Sequence, residues 1–387
     1  MNLKNKAAIV GIGSSRVGAV PDRTGLGLAA EAAANAVADA GIEWGQIDGL
    51  LTAYSMTERY FMLGSVMCEY LGIAPKYAAS MVVGGATPGV MVNHAAAAIA
   101  AGECETVLIV IGENRKTGQT RDETVAALTT VGHPNFENPY GPSLPALYGM
   151  VANRHMHEFG TTPEQLASVA VTCRYHASLN PAAQMRKLIS VEDVLNSNLI
   201  ADPLHLLDCC LISDAAGAIV VTSAERAKDV TGNPIFVRGV SEHHTHEHIS
   251  MADSLTNTGA AVSARGAYQM ADVEPGDFDV AMLYDCFTVV PLIEMEDLGL
   301  VERGAAGEFF EQGHARIGGK LPVNTHGGML SHAHAGASGG LFDIIEACSQ
   351  LRGECGDRQV DGAGLAVVHV EGGVLSSHCT LVLSNSM

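Results

Sequence analysis

The feature that most constrains the fold is an internal repeat of half-chain length. Residues 82–89 (Val-Val-Gly-Gly-Ala-Thr-Pro-Gly) and 332–340 (His-Ala-His-Ala-Gly-Ala-Ser-Gly-Gly) are both glycine-rich, and each leads into a helix-like stretch. The two segments lie about 250 positions apart in a chain of 387 residues. A repeat on this scale predicts two similar halves packed about a pseudo-twofold axis, with a site where they meet.

Apolar strand-like runs alternate with alanine-rich helical stretches in both halves, which predicts a layered α/β sheet. In the first half we expect strands at 7–13, 47–54, 79–83, 106–112 and 214–223, and helices at 25–41 and 89–101. In the second half we expect strands at 234–240, 278–283, 365–370 and 378–383, and helices at 259–270 and 336–351.

The domain boundaries follow from a change of character in the middle of the chain. Residues 116–204 hold seven prolines, which predicts an excursion of loops and helices between two strands of the first half. The first half is therefore predicted to comprise 1–115 and 205–230, with 116–204 as an inserted loop or substrate domain. The second half comprises 231–387.

Composition excludes several classes of function. With 47% hydrophobic and 17% charged residues, the chain is typical of a packed globular protein. A formal charge of −20 argues against nucleic-acid binding, which needs a basic face, although an anionic small molecule stays possible. The nine cysteines form no CxxC motif, and neither a signal peptide nor an 18-residue apolar run is evident, so we expect a cytoplasmic protein that does not enter membranes.

Several motifs, taken in order, resemble those of the thiolase superfamily over nearly the whole chain. Tyr284-Asp-Cys286-Phe is similar to the HDCF motif of sterol-carrier-protein-type thiolases and thiolase-like lipid-transfer proteins. His334-Ala-Gly-Ala-Ser-Gly resembles the GHPxGxSG motif, and Asn324-Thr-His-Gly-Gly328 resembles the N-x-x-GG before it. Further similarities lie at 176–181 and 371–373. The resemblance implies the thiolase fold, two βαβαβ halves in a five-layer αβαβα arrangement with an inserted loop domain.

The chain departs from this family at the position of its nucleophile. Such thiolases carry an acylated cysteine at the N-terminus of a buried helix, where the helix dipole favours the reactive thiolate. The resemblance places that position at Gly85, and neither Gly84 nor Ala86 offers a nucleophile. Ordinary ping-pong thiolysis through this position is therefore in doubt.

The resemblance also supplies the candidate site residues. His334 would polarise a thioester oxygen or act as acid or base, Cys286 would move a proton, and Tyr284 would donate to an oxyanion or remove a β-hydroxyl proton. Secondary candidates on presumed active-site loops are His326, His332 and His369. Candidates for contact with the coenzyme A thioester are Gly328, Gly336, Ala337 and Ser338. We expect neither a metal site nor a tightly bound cofactor, and coenzyme A enters only as part of the substrate.

Three functions remain open at this point. The first is thiolase-type acyl transfer on a β-oxoacyl-CoA. The second is retro-aldol cleavage of a β-hydroxyacyl-CoA, which needs no acyl-enzyme. The third is a noncatalytic scaffold that binds acyl-CoA. The resemblance further implies a homodimer and a small zinc-binding OB-fold partner subunit.

Overall fold

The structure is a computed structural model that describes residues 3–387, except for the side chains of Arg121 and Val125. Its strands are β1 (Ala7–Ser14), β2 (Gly49–Ala53), β3 (Tyr77–Met81), β4 (Thr106–Asn114), β5 (Leu199–Ala201), β6 (Leu204–His205), β7 (Asp214–Ser223), β8 (Ile235–His244), β9 (Val280–Leu283), β10 (Leu365–Gly372) and β11 (Ser377–Ser384). Its helices are α1 (Gly25–Ala40), α2 (Leu63–Leu71), α3 (Thr87–Ala101), α4 (Arg121–Leu128), α5 (Leu144–Phe159), α6 (Pro163–Leu179), α7 (Val191–Leu195), α8 (Ala224–Val230), α9 (Ala260–Ala271), α10 (Val289–Asp297), α11 (Ala306–Glu311), α12 (Gly328–Ser331) and α13 (Ser338–Arg352).

The sheet displays the predicted repeat directly. Nine strands form one sheet in the order β3-β2-β4-β7-β1-β8-β11-β10-β9. Outward from the centre, β1-β7-β4-β2 of the first half mirrors β8-β11-β10-β9 of the second, with the same parallel and antiparallel pairings. The halves join where β1 and β8 pair antiparallel through Ala8–Phe236 and Ile9–Ile235. The prediction of two similar βαβ halves is confirmed.

The outer helices sit close to the sheet because glycines face them. A Cβ atom at Gly11 of β1 would overlap the backbone oxygen of Ala36 in α1. The equivalent strand of the second half repeats the device, since a Cβ atom at Gly239 of β8 would overlap the backbone oxygen of Ala267 in α9. The same small residue therefore sets the sheet-to-helix spacing in both halves.

The inner helices cross between the halves. A Cβ atom at Gly89 of α3 would lie 2.7 Å from Val370 Cγ2 on β10, so this first-half helix packs against the second half. Reciprocally, a Cβ atom at Gly217 of β7 would lie 3.2 Å from Leu341 Cδ2 on α13. The two glycine-rich turns that precede these helices are brought together as a consequence.

Each expected strand and helix is present, with shifts of a few residues at the ends. The segment 116–204 contains α4 to α7 and the short strand β5, and its assignment as a separate inserted domain stays a prediction. Strand β8 continues to His244, four residues beyond the predicted end at 240. Within the described part of the chain, no helix is long and apolar enough to cross a membrane.

We expect Gly11→Ala to lower the melting temperature, because the added methyl group would overlap a backbone atom of α1. Overpacking of this kind costs about 1–3 kcal/mol. Gly45→Ala is the matched control, since a Cβ atom there would meet nothing within 4 Å. Thermal unfolding of both variants tests the close approach, and equal melting temperatures would contradict it.

Candidate active site

The candidate site lies where the two glycine-rich turns meet. A Cβ atom at Gly340, in the first turn of α13, would lie 3.0 Å from the backbone oxygen of Gly85, just before α3. On the other side, a Cβ atom at Gly84 would lie 2.8 Å from Cα of Gly372, at the end of β10. Only residues without side chains allow three backbone segments to approach one another this closely.

The space beside Gly85 is filled by a tyrosine. A Cβ atom at Gly85 would overlap Cζ and Oη of Tyr284, which follows strand β9, and also the backbone oxygen of Glu371. A cysteine at position 85 and the present position of the Tyr284 ring therefore exclude each other. At the position that the resemblance assigns to the nucleophile, the space a side chain would need is therefore taken by the Tyr284 phenol.

Tyr284 is held as a neutral hydrogen-bond donor. Its backbone N–H donates to Glu294 Oε2 at 2.9 Å, whereas its hydroxyl forms no hydrogen bond with any of residues 3–387. Burial, reinforced by the neighbouring Cys286 and Glu371, raises the pKa of Tyr284 well above its usual range. The phenol is therefore suited to donate to a developing oxyanion rather than to remove a proton from its resting state.

Cys286 belongs to a buried group of three side chains. Its thiol lies 3.4 Å from Oε1 of Glu371, and the hydroxyl of Tyr148 donates to the same oxygen at 2.6 Å. Burial raises the pKa of Glu371 to about 7 and that of Cys286 well above its ordinary value. A carboxyl group that titrates near neutrality beside a thiol is well placed to exchange a proton with it.

His334 is paired with a different thiol. Its Nδ1 lies 3.0 Å from Sγ of Cys210, and its backbone N–H donates to Ser213 Oγ at 3.1 Å. Its Nε2 has no hydrogen-bond partner in the described part of the chain, and the rings of His334 and Tyr284 lie 6.3 Å apart, edge to face. Burial, with a smaller contribution from Arg115, lowers the pKa of His334 to about 3. The imidazole is thus neutral and its free nitrogen is available to a substrate.

The residues predicted to contact coenzyme A are largely engaged within the protein. A Cβ atom at Gly328 would overlap the carboxylate of Asp285, which accepts from the backbone N–H of Met329 at 2.7 Å. Ser338 is fully buried and donates its hydroxyl to the backbone oxygen of Ala335 at 2.7 Å. Gly336 has a left-handed φ of 59° and Ala337 caps α13, so their role as ligand contacts stays a prediction.

The three secondary histidines are buried and neutral. His326 Nε2 lies 3.5 Å from Asp343 Oδ1, and the ring of His332 packs at 5.1 Å from that of His326. Burial lowers the pKa of both imidazoles to about 3. His369 lies within strand β10 and not in a loop as predicted, 3.1 Å from His378 Nδ1. None of the three forms a hydrogen bond with Tyr284, Cys286 or His334 in the structure.

Four residues of the site were missed as individual candidates. Glu371 falls in the similarity at 371–373 without being singled out there, and Cys210, Tyr148 and Arg115 are not among the residues predicted from the sequence. Each of the four is brought to the site by a contact between segments that lie far apart in the chain.

Comparisons with known proteins agree with this geometry. The family model described as "Thiolase, N-terminal domain" matches residues 6–225, and that described as "Thiolase C-terminal domain-like" matches residues 241–385. The chain is 34% identical to an acetyl-CoA acetyltransferase of Methanothermobacter thermautotrophicus, over 95% of this chain and 96% of that protein. It is 36% identical to the 17-hydroxy-3-oxo-4-pregnene-20-carboxyl-CoA lyase of Mycobacterium tuberculosis, over 91% and 92%. A solved structure titled "Ltp2-ChsH2(DUF35) aldolase" superposes with a TM-score of 0.86 at 34% identity, covering 99% of this chain and 98% of that one.

We expect the cost of Gly85→Ala to depend on Tyr284. In the wild-type background the methyl group overlaps both the phenol and the Glu371 backbone, whereas in a Tyr284→Ala background only the backbone overlap remains. Contacting residues of this kind show coupling of about 0.5–3 kcal/mol in a double-mutant cycle. Thermal unfolding of the four proteins measures the coupling, and an equal cost of Gly85→Ala in both backgrounds would refute it.

Glu371 should give a recognisable pH dependence of stability. Its folded pKa of about 7 lies above the ordinary value of 4.5, so the folded chain holds this proton more tightly than the unfolded chain does. The stability contributed by this group is therefore full below about pH 4.5 and falls as the pH rises to about 7. The melting temperature of Glu371→Gln minus that of wild type should rise across this window and level off above it. Glu247→Gln removes an exposed carboxylate and is the control.

Proposed function

The chain belongs to the thiolase superfamily, in its sterol-carrier-protein-type branch, and we propose that it catalyses retro-aldol cleavage of a β-hydroxyacyl-CoA. The products would be a carbonyl compound and a shortened acyl-CoA. The observation that carries the proposal is the hydroxyl of Tyr284, which has no hydrogen-bond partner among residues 3–387 and lies beside Gly85, the position that the resemblance assigns to the acylated cysteine. Retro-aldol cleavage needs an oxyanion donor at this point and no covalent acyl-enzyme.

Tyr284 would stabilise the charge that develops on the thioester. When the bond between the α and β carbons breaks, its electron pair moves onto the thioester and forms an enolate. The neutral phenol can donate to that enolate oxygen without first losing a bond to the protein. Because such a donor acts more strongly on the charged transition state than on the neutral ground state, it lowers the barrier.

His334 would accept the proton of the β-hydroxyl group. In the tautomer that carries its proton on Nδ1, beside Cys210 Sγ, the lone pair of Nε2 is free to take that proton as the carbonyl product forms. The ring lies edge-on to Tyr284, so the two side chains can address the hydroxyl and thioester ends of one substrate. Geometry of this kind supplies the pre-alignment on which proton transfer depends.

The Cys286–Glu371 pair would complete the reaction. The enolate must gain a proton at its α-carbon, and the Cys286 thiol is the donor in our proposal. Glu371 in its protonated form would then return a proton to the Cys286 thiolate, since its carboxyl titrates near neutrality and contacts both the thiol and the Tyr148 hydroxyl. Glu371 regains a proton from solvent while the His334 imidazolium releases one, so that no net proton is gained or lost. Coenzyme A takes part only as the activating group of the substrate, and the steps require no tightly bound cofactor.

Acyl transfer is the second candidate, and one contact favours it. Cys210 Sγ lies 3.0 Å from His334 Nδ1, the arrangement of a nucleophile beside a base. Against it, burial raises the pKa of Cys210 to about 12, which disfavours the thiolate needed for attack. Relatives named acetyltransferase and relatives named lyase or aldolase match this chain about equally well, so the choice between the two reactions depends on the site.

We also propose that the chain assembles with partners. Strand β3 lies at the edge of the sheet, with Ala78 and Ser80 exposed, and a second copy of the chain could pair with this edge. The similar structure titled "Ltp2-ChsH2(DUF35) aldolase" names a second component and thus supports a partner subunit. That this subunit is a small zinc-binding OB-fold protein is what the family resemblance implies. These assemblies remain proposals for this chain.

Product analysis tests the proposed reaction. We expect a β-hydroxyacyl-CoA to be cleaved to a carbonyl compound without free coenzyme A, and the matching β-oxoacyl-CoA to be left intact. Tyr284→Phe removes only the donor hydroxyl and should lower kcat by about 100- to 1000-fold. The assay is run on the chain alone and with a candidate partner subunit.

The outcomes separate the alternatives. Cleavage of the β-oxo compound that requires free coenzyme A, together with a mass increase on Cys210, would establish acyl transfer. Absence of turnover with either substrate, in the presence of partner, would leave a noncatalytic acyl-CoA-binding scaffold. Full activity of Tyr284→Phe would remove the phenol from the mechanism.

A further inference from the structure

An arginine beside the site is buried without a partner. Arg115, directly after strand β4, is 6% exposed, and its Nε is enclosed without a hydrogen bond. Its terminal nitrogens form no hydrogen bond or ion pair with any residue from 3 to 387. Desolvation of a guanidinium that makes no direct hydrogen bond is costly, and the attraction between Arg115 and the neighbouring Glu113 offsets only part of that cost. An arginine kept in this state points to a ligand.

The backbone around Arg115 is fixed in advance. The carboxylate of Asp214 accepts from the backbone N–H groups of Lys116 at 2.7 Å and Thr117 at 3.0 Å, and from Val20 at 2.8 Å. Asp214 is itself fully buried. The guanidinium is thus carried on a segment that is already ordered. A ligand that binds it does not have to offset the entropy cost of ordering this segment.

Arg115 adjoins the reacting groups. A Cβ atom at Gly336 would lie 3.8 Å from its Cδ, which places it beside the turn that holds His334. Its charge acts on His334 and on Tyr54, whose hydroxyl also has no hydrogen-bond partner in the described chain. The neighbouring acid Glu113 is already hydrogen-bonded to the backbone of Met56 and the hydroxyl of Thr57. Tyr54 directly follows β2 and Arg115 directly follows the adjacent parallel strand β4, so a guanidinium and a phenol without hydrogen-bond partners among residues 3–387 stand at the same edge of the sheet.

We propose that Arg115 and Tyr54 bind a carboxylate on the acyl part of the substrate, so that the chain acts on acidic acyl-CoA thioesters. The cleavage of an acidic substrate rests on the proposed function, whereas the binding of its carboxylate by Arg115 and Tyr54 does not depend on that function. A planar guanidinium holds a carboxylate through two parallel hydrogen bonds, and the phenol adds a third.

Two other anions fit the site less well. The phosphates of coenzyme A are separated from the thioester by the whole pantetheine arm, whereas Arg115 lies beside the histidine that addresses the reacting carbons. The enolate oxygen is already served by Tyr284. A fixed carboxylate on the acyl group is the anion that would be present throughout the reaction.

Binding of a carboxylate would also prepare His334. The charge of Arg115 contributes to the lowered pKa of this imidazole. Once a carboxylate neutralises that charge, the pKa of His334 rises towards its ordinary value, and the nitrogen becomes a stronger base. Recognition of the acidic group and activation of the base would then occur in one event.

A matched pair of substrates tests the proposal. One β-hydroxyacyl-CoA ends in a carboxylate and the other in the isosteric carboxamide. We expect wild type to prefer the acid by about 100-fold in kcat/KM, because a buried charge pair is being made. Arg115→Met should bring the ratio of the two values to about 1, Arg115→Lys should keep part of it, and Tyr54→Phe should reduce it about tenfold. Arg265→Met, at an exposed arginine of α9, is the control.

Binding is measured separately from cleavage. Non-cleavable thioether analogues of the same acid and amide are titrated calorimetrically into wild type and Arg115→Met. A preference for the acid that depends on Arg115, without turnover of either substrate, would support the site while the proposed reaction fails. Cleavage of both substrates at equal rates, with equal binding of both analogues, would overturn the site and leave the reaction standing.

The stability of Arg115→Met distinguishes a ligand site from a structural role. Since methionine keeps the apolar bulk and removes an unpaired charge, the free variant should melt a few degrees above wild type. A lower melting temperature, or an equal loss of rate on acid and amide, would show that Arg115 supports the fold or the shared thioester and would refute the proposal. Arg115→Lys repeats the rate comparison if the methionine variant does not fold.

Discussion

Steric exclusion between position 85 and the ring of Tyr284 is the constraint on which the site depends. The turn before α3 can approach strand β10 and the residue after β9 only because Gly85 has no side chain. Burial keeps the phenol that enters this space neutral, and its hydroxyl has no hydrogen-bond partner among residues 3–387. In our proposal the missing Cβ atom at position 85 thus excludes a nucleophile and makes room for an oxyanion donor, which changes the chemistry without changing the fold.

The crossing of α3 and α13 makes this exchange possible. Each inner helix packs on a strand of the other half, through Gly89 against Val370 and Leu341 against Gly217. The crossing brings the turns of both halves to a shared, buried centre. Burial then acts on every titratable group in the same direction, towards the neutral form. Burial keeps the imidazole of His334 neutral and raises the pKa of the Glu371 carboxyl to about 7. In our proposal His334 is then the base, Tyr284 the hydrogen-bond donor and Glu371 the proton carrier near neutral pH.

Features that depend on neighbouring residues in the sequence could be predicted, and features that depend on contacts between distant segments could not. The strands and helices follow from local periodicity, and their ends differ from the prediction by a few residues, as where pairing with β11 extends β8 to His244. Tyr284, Cys286 and His334 were predicted because they stand in segments that resemble family motifs. Cys210 and Arg115 stand in no such segment, and Glu371 is only one of three residues in the similarity at 371–373. Their importance comes from contacts across more than 80 positions of sequence, which no local pattern encodes.

The sequence by itself determined the half-chain repeat, the α/β class, the family and the absence of a thiol at position 85, because these follow from residue identity and periodic spacing. The tertiary structure decided what fills the vacant position and which groups are paired. It showed that the Tyr284 ring enters the space beside Gly85 and that Glu371 contacts Cys286 and Tyr148. It also showed that the buried Nε of Arg115 has no hydrogen-bond partner in the described part of the chain. Pairing and burial depend on packing between segments far apart in the chain, and they fix both the pKa and the availability of each group.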